Sequence, residues 1–400
     1  MARGILIHRD SEPPPVTEPY LWHPALDLLR VPWHVGALSA QAPQFPIQTP
    51  AAPVTTRQVT VHTVTNFNIE SAIAGTEITV GTGWASTANA MVNASDIDII
   101  VPPSIAVGPI LLDPFGVGVR QRVRVRGTTP GSHSGGKVGQ FRDNANCTDI
   151  IIDGIDMDGS GFSGAESNVC LRPEGTRYAI VNVRALSSGN IWLGHAKHAV
   201  VAGCSMFHGA ATRAENGFVE GWGIRNTDGS VVVFDSQIRG GRYHNIRLHS
   251  NNETGEEYCW CADSDLISMC EARTGWLWHH SSAPSTTVGI AAIVDNCRVY
   301  THSDAGCDLP RNLDAFCEYS RVRNCAFHGA GAQGVYDQAY LDSEAAGAGG
   351  TPGDHDWNDG NTFPAFTSLP AWRGPGDPTA IGLPNGMTFQ EGEGICPVGP

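Results

Sequence analysis

Short β-type runs, each bounded by glycine, asparagine or aspartate, recur along the middle of the chain from residue 67 onward. Runs of this length, with no helical periodicity between them, predict strands and not helices. The clearest early runs are Glu77–Val80, Asp98–Val101, Arg122–Arg126 and Thr148–Asp153. The pattern of hydrophobic and polar positions therefore predicts an all-β architecture.

A four-residue motif follows a β-run in seven successive segments. It has a mostly small or turn-forming residue, then a small or apolar one, then a mostly polar one and finally an apolar one. The copies are Gly154–Met157, Asn182–Ala185, Gly203–Met206, Asp235–Ile238, Met269–Ala272, Asn296–Val299 and Asn324–Phe327. Their second positions are 28, 21, 32, 34, 27 and 28 residues apart. Such a period is typical of a solenoid, in which each unit buries its apolar face by stacking on its neighbours.

A second set of β-runs lies upstream of the motif in each repeat. Its members are 168–172, 190–195, 222–226, 245–250, 276–280, 315–319 and 334–338. Two or three short strands in each repeat of about 28 residues are typical of a parallel β-helix. The repeat thus favours one elongated solenoid over two or three separate domains.

These repeats resemble those of the right-handed parallel β-helix proteins, the pectate-lyase-like group that includes polysaccharide lyases, polygalacturonases and phage tailspikes. The segment Phe67–Gly81 is similar to the first coil of that family, where a glycine turn leads into the first strand. The resemblance spans roughly residues 60 to 340. It implies an all-β fold, a single right-handed parallel β-helix of about 9 to 11 coils with extended arms at both ends. It does not define one function, because the same fold hosts several chemistries.

The two ends of the chain differ from the repeats in composition. Residues 1–56 are rich in proline, which favours extended backbone, and we expect an N-terminal arm for attachment or intersubunit contact. Its larger apolar residues would anchor it to the body or to a neighbouring subunit: Tyr20, Leu21, Trp22, Leu28, Leu29 and Trp33. We assign residues 57–343 to the parallel β-helix, and residues 344–400, rich in glycine and proline, to a C-terminal arm or cap.

The charge of the chain excludes two classes of partner. Its 25 basic and 40 acidic residues give a net charge of −15, which repels phosphate backbones and anionic lipid headgroups. We therefore expect no nucleic-acid and no membrane partner. The chain has no apolar stretch of transmembrane length, and its first residues do not resemble a secretory signal.

Four of the eleven cysteines share the second position of the motif: Cys204, Cys270, Cys297 and Cys325. Equivalent positions of adjacent coils stack about 4.8 Å apart, so we predict an interior ladder of buried free thiols. A linear stack does not offer the tetrahedral convergence that zinc needs, and no metal site is expected there. A disulfide from the Cys259–Cys261 segment to Cys307 is the open alternative for the remaining cysteines.

Charged residues follow the second set of runs in successive repeats, and we predict that they line a groove. They are Arg172, His195, Arg225, His249 and His279. Arginine forks bind carboxylates, and histidine exchanges a proton near neutral pH, so such a row could bind an acidic glycan. Trp260 and Trp278 are candidates for stacking on sugar rings. The alternative is that these residues only solvate a turn. If the protein is an enzyme, Arg225, His249 and His279 are the catalytic candidates.

The family's catalytic motifs are mostly missing. Asn226-Thr227-Asp228 matches the first polygalacturonase motif, but the adjacent aspartate pair, the Gly-His-Gly and the Arg-Ile-Lys are absent. We expect no metal and no cofactor. Weak Ca²⁺ binding by Asp156 and Asp158, on one face of their strand, is the alternative.

The leading functional hypothesis is a bacteriophage virion-surface protein of the tailspike, spike or decoration type. We expect a homotrimer that meets other virion proteins through the N-terminal arm and could bind host polysaccharide. One alternative is a secreted or periplasmic lyase or glycoside hydrolase acting on an acidic glycan. Another is a non-enzymatic surface adhesin. The sequence leaves open whether any bond is cleaved.

Overall fold

The computed structural model describes residues 50–84, 88–112, 118–144, 146–158, 169–172, 174–186, 190–194, 197–208, 222–226, 230–240, 244–250, 259–267, 273–279, 292–301, 311–316, 320–329, 335–337, 356–359, 362, 364, 387–390 and 394–397. Within these ranges, no helix has the length and apolar character needed to cross a membrane.

Parallel strands in three long sheets form most of the described structure, and they are numbered in chain order. Sheet I contains β1 (Arg57–Val61), β2 (Thr76–Val80), β4 (Ile97–Ile100), β7 (Gln121–Arg126), β10 (Thr148–Asp153), β13 (Thr176–Val181), β16 (His198–Ala202), β19 (Ser230–Phe234), β22 (Cys259–Ala262), β25 (Ala292–Asp295), β28 (Ser320–Arg323) and β31 (Asp356–Asp359). Sheet II contains β5 (Ala106–Val107), β8 (Lys137–Val138), β11 (Asp156–Asp158), β14 (Arg184–Leu186), β17 (Ser205–His208), β20 (Gln237–Gly240), β23 (Asp265–Ile267), β26 (Arg298–Thr301) and β29 (Ala326–Gly329).

Sheet III contains β3 (Ala90–Val92), β6 (Ile110–Leu112), β9 (Phe141–Arg142), β12 (Val169–Arg172), β15 (Asn190–Gly194), β18 (Trp222–Asn226), β21 (His244–Ser250), β24 (Arg273–His279), β27 (Arg311–Phe316) and β30 (Val335–Asp337). One antiparallel hairpin, β32 (Met387–Gln390) with β33 (Gly394–Pro397), lies outside the three sheets. The described helix is α1 (Val64–Glu70).

From β4 onward the chain visits the three sheets in turn, so most strands pair with the strands three before and three after them. β10, for example, pairs in parallel with β7 and β13, with Ile150 opposite both Val123 and Tyr178. This order confirms that the chain is predominantly β, and it is compatible with a β-helix or solenoid-like fold. The early runs predicted from the sequence coincide with β2, β4, β7 and β10 to within one residue at each end.

The core lies between the sheets, because alternate residues of each strand turn toward it. In β2, Thr76, Ile78 and Val80 are buried, while Glu77 and Thr79 are only partly so. Sheet II contributes one apolar residue to the core in most repeats, such as Met206, and the described core residues of sheet III extend from Ala90 to Leu171. We call the other side of each sheet its outer face.

A turn with left-handed backbone precedes most strands of sheet II and explains the first position of the motif. Gly154, Asn182, Gly203, Asp235, Asp263, Asn296 and Asn324 all have φ between 43° and 65°. Glycine, asparagine and aspartate tolerate this conformation better than other residues. The recurring small or turn-forming residue is therefore a backbone requirement.

In the ladder at the second motif position, Ser264 has the place predicted for Cys270. Asp265 pairs with Gln237 and Arg298, so Ser264 aligns with Ser236 and Cys297. The prediction that Cys270 has the second motif position was wrong, because Ser264, six residues earlier, has that position. Cys204, Cys297 and Cys325 are buried free thiols as predicted. Cys261 is also free, which contradicts its pairing with Cys307, a residue outside the described ranges.

Helix α1 closes the N-terminal end of the core, and the sequence analysis did not predict it. Thr63 caps it by accepting a hydrogen bond from the Asn66 N–H, at 3.2 Å. Phe67, on the inner side of the helix, is fully buried and lies edge-on to Trp84, with ring centroids 6.1 Å apart. The predicted glycine turn is present at Gly75, with φ of 73°, and leads into β2, but the residues before it, 67–70, are helical, and β1 is an earlier strand.

Both predicted arms lie partly outside the described residues. Residues 1–49 of the N-terminal arm are not described, but the segment 50–56 lies on the protein's own sheet I, with Pro50 and Pro53 buried. Near the other end, β31 pairs with β28, so sheet I continues beyond residue 343, the limit assigned to the β-helix from the sequence.

Candidate functional site

The predicted site residues fall on two different sheets. Arg172 ends β12, Arg225 lies in β18, His249 in β21, and Trp278 and His279 in β24, all strands of sheet III. Trp260 lies instead in β22 of sheet I, opposite Val232. His195 is outside the described residues.

The pairing of sheet III separates an apolar column from a polar and aromatic column. Leu171, a core residue, is opposite Ile191, and the column continues through Ile224, Ile246, Gly275, Leu313 and Val335. Successive residues of a strand alternate between its two faces, so we expect the next position to lie on the outer face. We call that column the outer column, and its members are Arg142, Arg172, Trp192, Arg225, Arg247, Trp276, Asp314 and Tyr336.

The two histidines do not share a register position with Arg225. Arg225 is opposite Arg247, and His249 is two residues further along β21, opposite Trp278. His279 is opposite Ser250, one residue further along the strand and therefore on the alternate face. The predicted row joined residues near the ends of successive runs. Because β21 has seven residues and β18 has five, residues at the same distance from the end of a run differ in register. The column also contains residues outside the predicted row, among them Arg142, Arg247 and Trp276. The functional role of the histidines stays a prediction.

The outer column concentrates cationic residues on an acidic protein. Four of its positions are arginine, namely Arg142, Arg172, Arg225 and Arg247, although the chain has 25 basic against 40 acidic residues. Arginine presents a planar fork that matches carboxylate geometry. Tryptophan and tyrosine, also present in the column, offer flat faces on which sugar rings can stack. The column therefore has the composition of a binding surface for an anionic chain molecule.

On the outer face of sheet I, acidic and basic residues instead neutralise one another. Asp96, Arg122, Asp149 and Arg177 alternate at the starts of β4, β7, β10 and β13, all with φ between 56° and 63°. Arg122 donates to both Asp96 oxygens at 2.6 and 2.7 Å, and Arg177 to both Asp149 oxygens at 2.6 Å. We call these four residues the ion ladder.

The ion ladder shifts the pKa values of its members. The hydrogen bonds from Arg122 are the main cause that lowers the pKa of Asp96. Burial alone would raise the pKa of Asp149, but hydrogen bonds from Arg177 and the Ala51 N–H outweigh it and lower the pKa. Both carboxylates are thus held ionised, as a structural ion pair requires and a general acid at neutral pH does not.

A more deeply buried charge cluster lies next to the ion ladder. Asp98 is fully buried, and Arg124 and Arg126, 6% and 7% exposed, both donate to it. The Arg124 Nε lies 2.7 Å from Asp98 Oδ1, and Arg126 also reaches Glu77 at 3.3 Å. Removing one partner of such a cluster leaves a buried charge uncompensated. We assign it a structural role, joining β2, β4 and β7.

Asp156 is one of the two aspartates expected as alternative calcium ligands, and basic side chains engage it; the side chain of Asp158 lies outside the described part of the structure. Asp156 Oδ1 accepts from His133 Nε2 at 2.8 Å and from Arg184 Nε at 3.1 Å. A carboxylate engaged by two basic side chains is a poor ligand for a cation. Within the described part of the chain, no group of three or more histidine, cysteine, aspartate or glutamate residues could hold a metal ion.

Cys204 and Cys297 are unsuited to nucleophilic chemistry. Burial is the main cause that raises the pKa of Cys204 to about 12, and it raises the pKa of Cys297 well above its ordinary value. The thiolate is the reactive form of cysteine, so these thiols remain protonated and unreactive in the folded protein.

No protein-family model, no curated protein and no solved structure matches this chain.

Proposed function

We propose that the protein is a single right-handed parallel β-helix that binds an anionic polysaccharide along the outer face of sheet III. The observation that carries the proposal is the outer column, in which arginine or an aromatic residue recurs from Arg142 to Trp276. Because adjacent strands are about 4.8 Å apart, the column offers evenly spaced contacts to an extended, repetitive ligand. Arg172 and Arg225, predicted from the sequence, belong to this surface, and His249 and Trp278 flank it.

The setting that we propose is a virion surface, as a tailspike, spike or decoration protein assembled as a homotrimer. A rigid solenoid that presents binding residues at regular spacing suits the capture of host surface glycans, and a proline-rich arm suits attachment to a neighbour. The proposed localisation is therefore the outside of the particle, and the other partners are virion proteins met by the N-terminal arm. Some secreted lyases also have this fold, and a secreted lyase is the alternative.

Binding of polygalacturonate, with dextran as the neutral comparison, tests the proposed site. We expect binding of polygalacturonate that weakens with salt, and a loss of about tenfold in affinity for either Arg247→Ala or Trp276→Ala, equivalent to about 1.4 kcal/mol. Lys137→Ala removes an exposed cation from sheet II and is the matched control, which should bind as the parent does.

Two results would overturn the proposal. The first is equal binding of polygalacturonate and dextran by the parent, and the second is unchanged affinity in both column variants. Release of unsaturated uronate ends during the assay would favour the lyase, with Arg225, His249 and His279 as the catalytic candidates to substitute next.

A further inference from the structure

The outer face of sheet I carries an apolar column that is fully buried. Ile151, Ala179, Val200 and Val232 are opposite one another on β10, β13, β16 and β19, and each is 0% exposed. Their neighbours along the strands belong to the core, so these four side chains lie on the opposite face. A buried apolar column on the outer face needs a cover.

The described end of the N-terminal arm covers the first part of this column. Ala52 packs against Ile151 and Ala179. The Val54 N–H donates to Asp96 and the Ala51 N–H to Asp149, each at 3.0 Å. The arm therefore runs across the strands, over the ion ladder, in the direction of β16 and β19.

The spacing of these two contacts matches a polyproline II segment. Asp96 and Asp149 belong to strands two apart in sheet I, a separation of about 9.6 Å at 4.8 Å for each step. Three residues of polyproline II rise about 9.3 Å and complete one turn. Every third residue then faces the sheet in the same way, and the prolines fall between the donors.

The same period extends upstream of the described residues. Pro53 and Pro50 are buried, so the next residue of that series is Ile47, while Phe45 belongs to the series of the exposed Val54 and Ala51. Three residues before Ala51 is Gln48, which has the N–H that proline lacks. One turn further along the sheet brings this segment over β16.

His198, the first residue of β16, follows Arg177 in register at the end of the ion ladder. Its Nδ1 is buried without a hydrogen-bond partner in the described part of the structure. An N–H at residue 48 would occupy the place that the Ala51 N–H has on Asp149. His198 Nδ1 thus lies where the three-residue period would place the N–H of residue 48.

We propose that the outer face of sheet I is the docking track for this chain's own proline-rich segment upstream of residue 50. Ile47 packs on Val200 and Val232, and the Gln48 N–H donates to His198 Nδ1. The occupant is the chain itself and not a second copy, because residues 50–54 already lie on the track in that direction. The inference does not depend on polysaccharide binding.

Photo-crosslinking in the full chain tests the track without changing the sheet. Benzoylphenylalanine replaces Ile47 in one variant and Phe45 in the matched control. We expect position 47 to crosslink to the tryptic peptide 198–213 or 226–239, which contain Val200 and Val232, and position 45 to give no such product.

Mixing the variant with isotope-labelled parent chain before irradiation identifies the occupant. Crosslinks within one chain support the proposal. Crosslinks between labelled and unlabelled chains would mean that a second copy supplies the cover, and crosslinks from position 47 to other peptides, or equal capture from position 45, would mean that the arm does not follow this track.

Discussion

At the residue scale, the pKa values of two aspartates shift in opposite directions because their environments differ. Asp96 meets an arginine fork, which lowers its pKa. Asp143 meets the Tyr178 hydroxyl, which donates to it, and the Glu174 N–H at 2.7 Å, but no arginine contributes to its pKa. Part of Asp143 is exposed, yet burial of the carboxylate is the largest cause that raises its pKa to about 7. A neutral hydrogen bond does not replace the solvation that a buried charge loses.

Replacing Asp143 with asparagine should change how stability depends on pH. Because its folded pKa is raised above 3.8, the folded state takes up a proton between about pH 7 and pH 4 that the unfolded state does not, so this residue makes stability fall as pH rises through that window. The slope is at most about 1.4 kcal/mol per pH unit. Asp143→Asn should flatten the slope of the unfolding free energy, measured by denaturant titration at several pH values.

Asp96→Asn is the matched control for that measurement. The pKa of Asp96 is lowered, so its contribution is complete above the unfolded pKa of 3.8 and is lost as pH falls through the folded value. The two variants should therefore change the pH profile with opposite signs. A parent slope unchanged by Asp143→Asn would mean that Asp143 titrates normally.

At the scale of elements, the turn residues could be recognised in the sequence, but the register of the strands could not. The left-handed turns require glycine, asparagine or aspartate, and this requirement produced the motif that revealed the repeat. Loops of unequal length between turns do not alter the motif, so nothing in the sequence showed that Ser264 and not Cys270 completes the ladder. The outer column has the same limit, because His249 and Arg225 are each the second-last residue of their run but occupy different register positions.

Two turns that share a left-handed backbone, at Gly154 and Asn182, should differ in how much a substitution destabilises the protein. Gly154 and Asn182 have φ of 65° and 55°, but a Cβ at Gly154 would lie 2.1 Å from the Ser132 carbonyl oxygen. That contact is with backbone and cannot be relieved by a rotamer change. We expect Gly154→Asn to destabilise the protein by about 1–3 kcal/mol or more, through overpacking.

The control for this prediction is Asn182→Gly. It keeps the left-handed turn without a Cβ and removes the Asn182 amide, which offsets part of the rise in the pKa of Asp153, a change worth about 1 kcal/mol. Thermal unfolding of both variants measures the difference. Equal melting temperatures would show that left-handed backbone alone, and not space, selects glycine at position 154.

At the scale of the whole molecule, the strand pairing distributes the arginines over all three sheets. Cations on sheets I and II engage carboxylates in the pairs Arg122–Asp96, Arg177–Asp149 and Arg298–Asp265. On sheet III the register instead places Arg225 opposite Arg247, a like-charged neighbour. Net charge and composition gave no indication of this partition, since both average over the faces. The register of the strands supplies what composition does not, and it is the basis on which sheet III is proposed for binding.

Because stacked repeats gain stability from contacts with their neighbours, the repeats at the ends are the least supported. Helix α1 covers the N-terminal end, with Phe67 fully buried against Trp84. Phe67→Ala should cost about 3–5 kcal/mol and expose strand edges and core that favour association. We expect a lower unfolding midpoint together with concentration-dependent growth in light scattering. Ile69→Ala changes a residue of the same helix that is 58% exposed, and it should leave both measurements near the parent values. Equal effects of the two substitutions would mean that α1 contributes helix formation alone and does not seal the core.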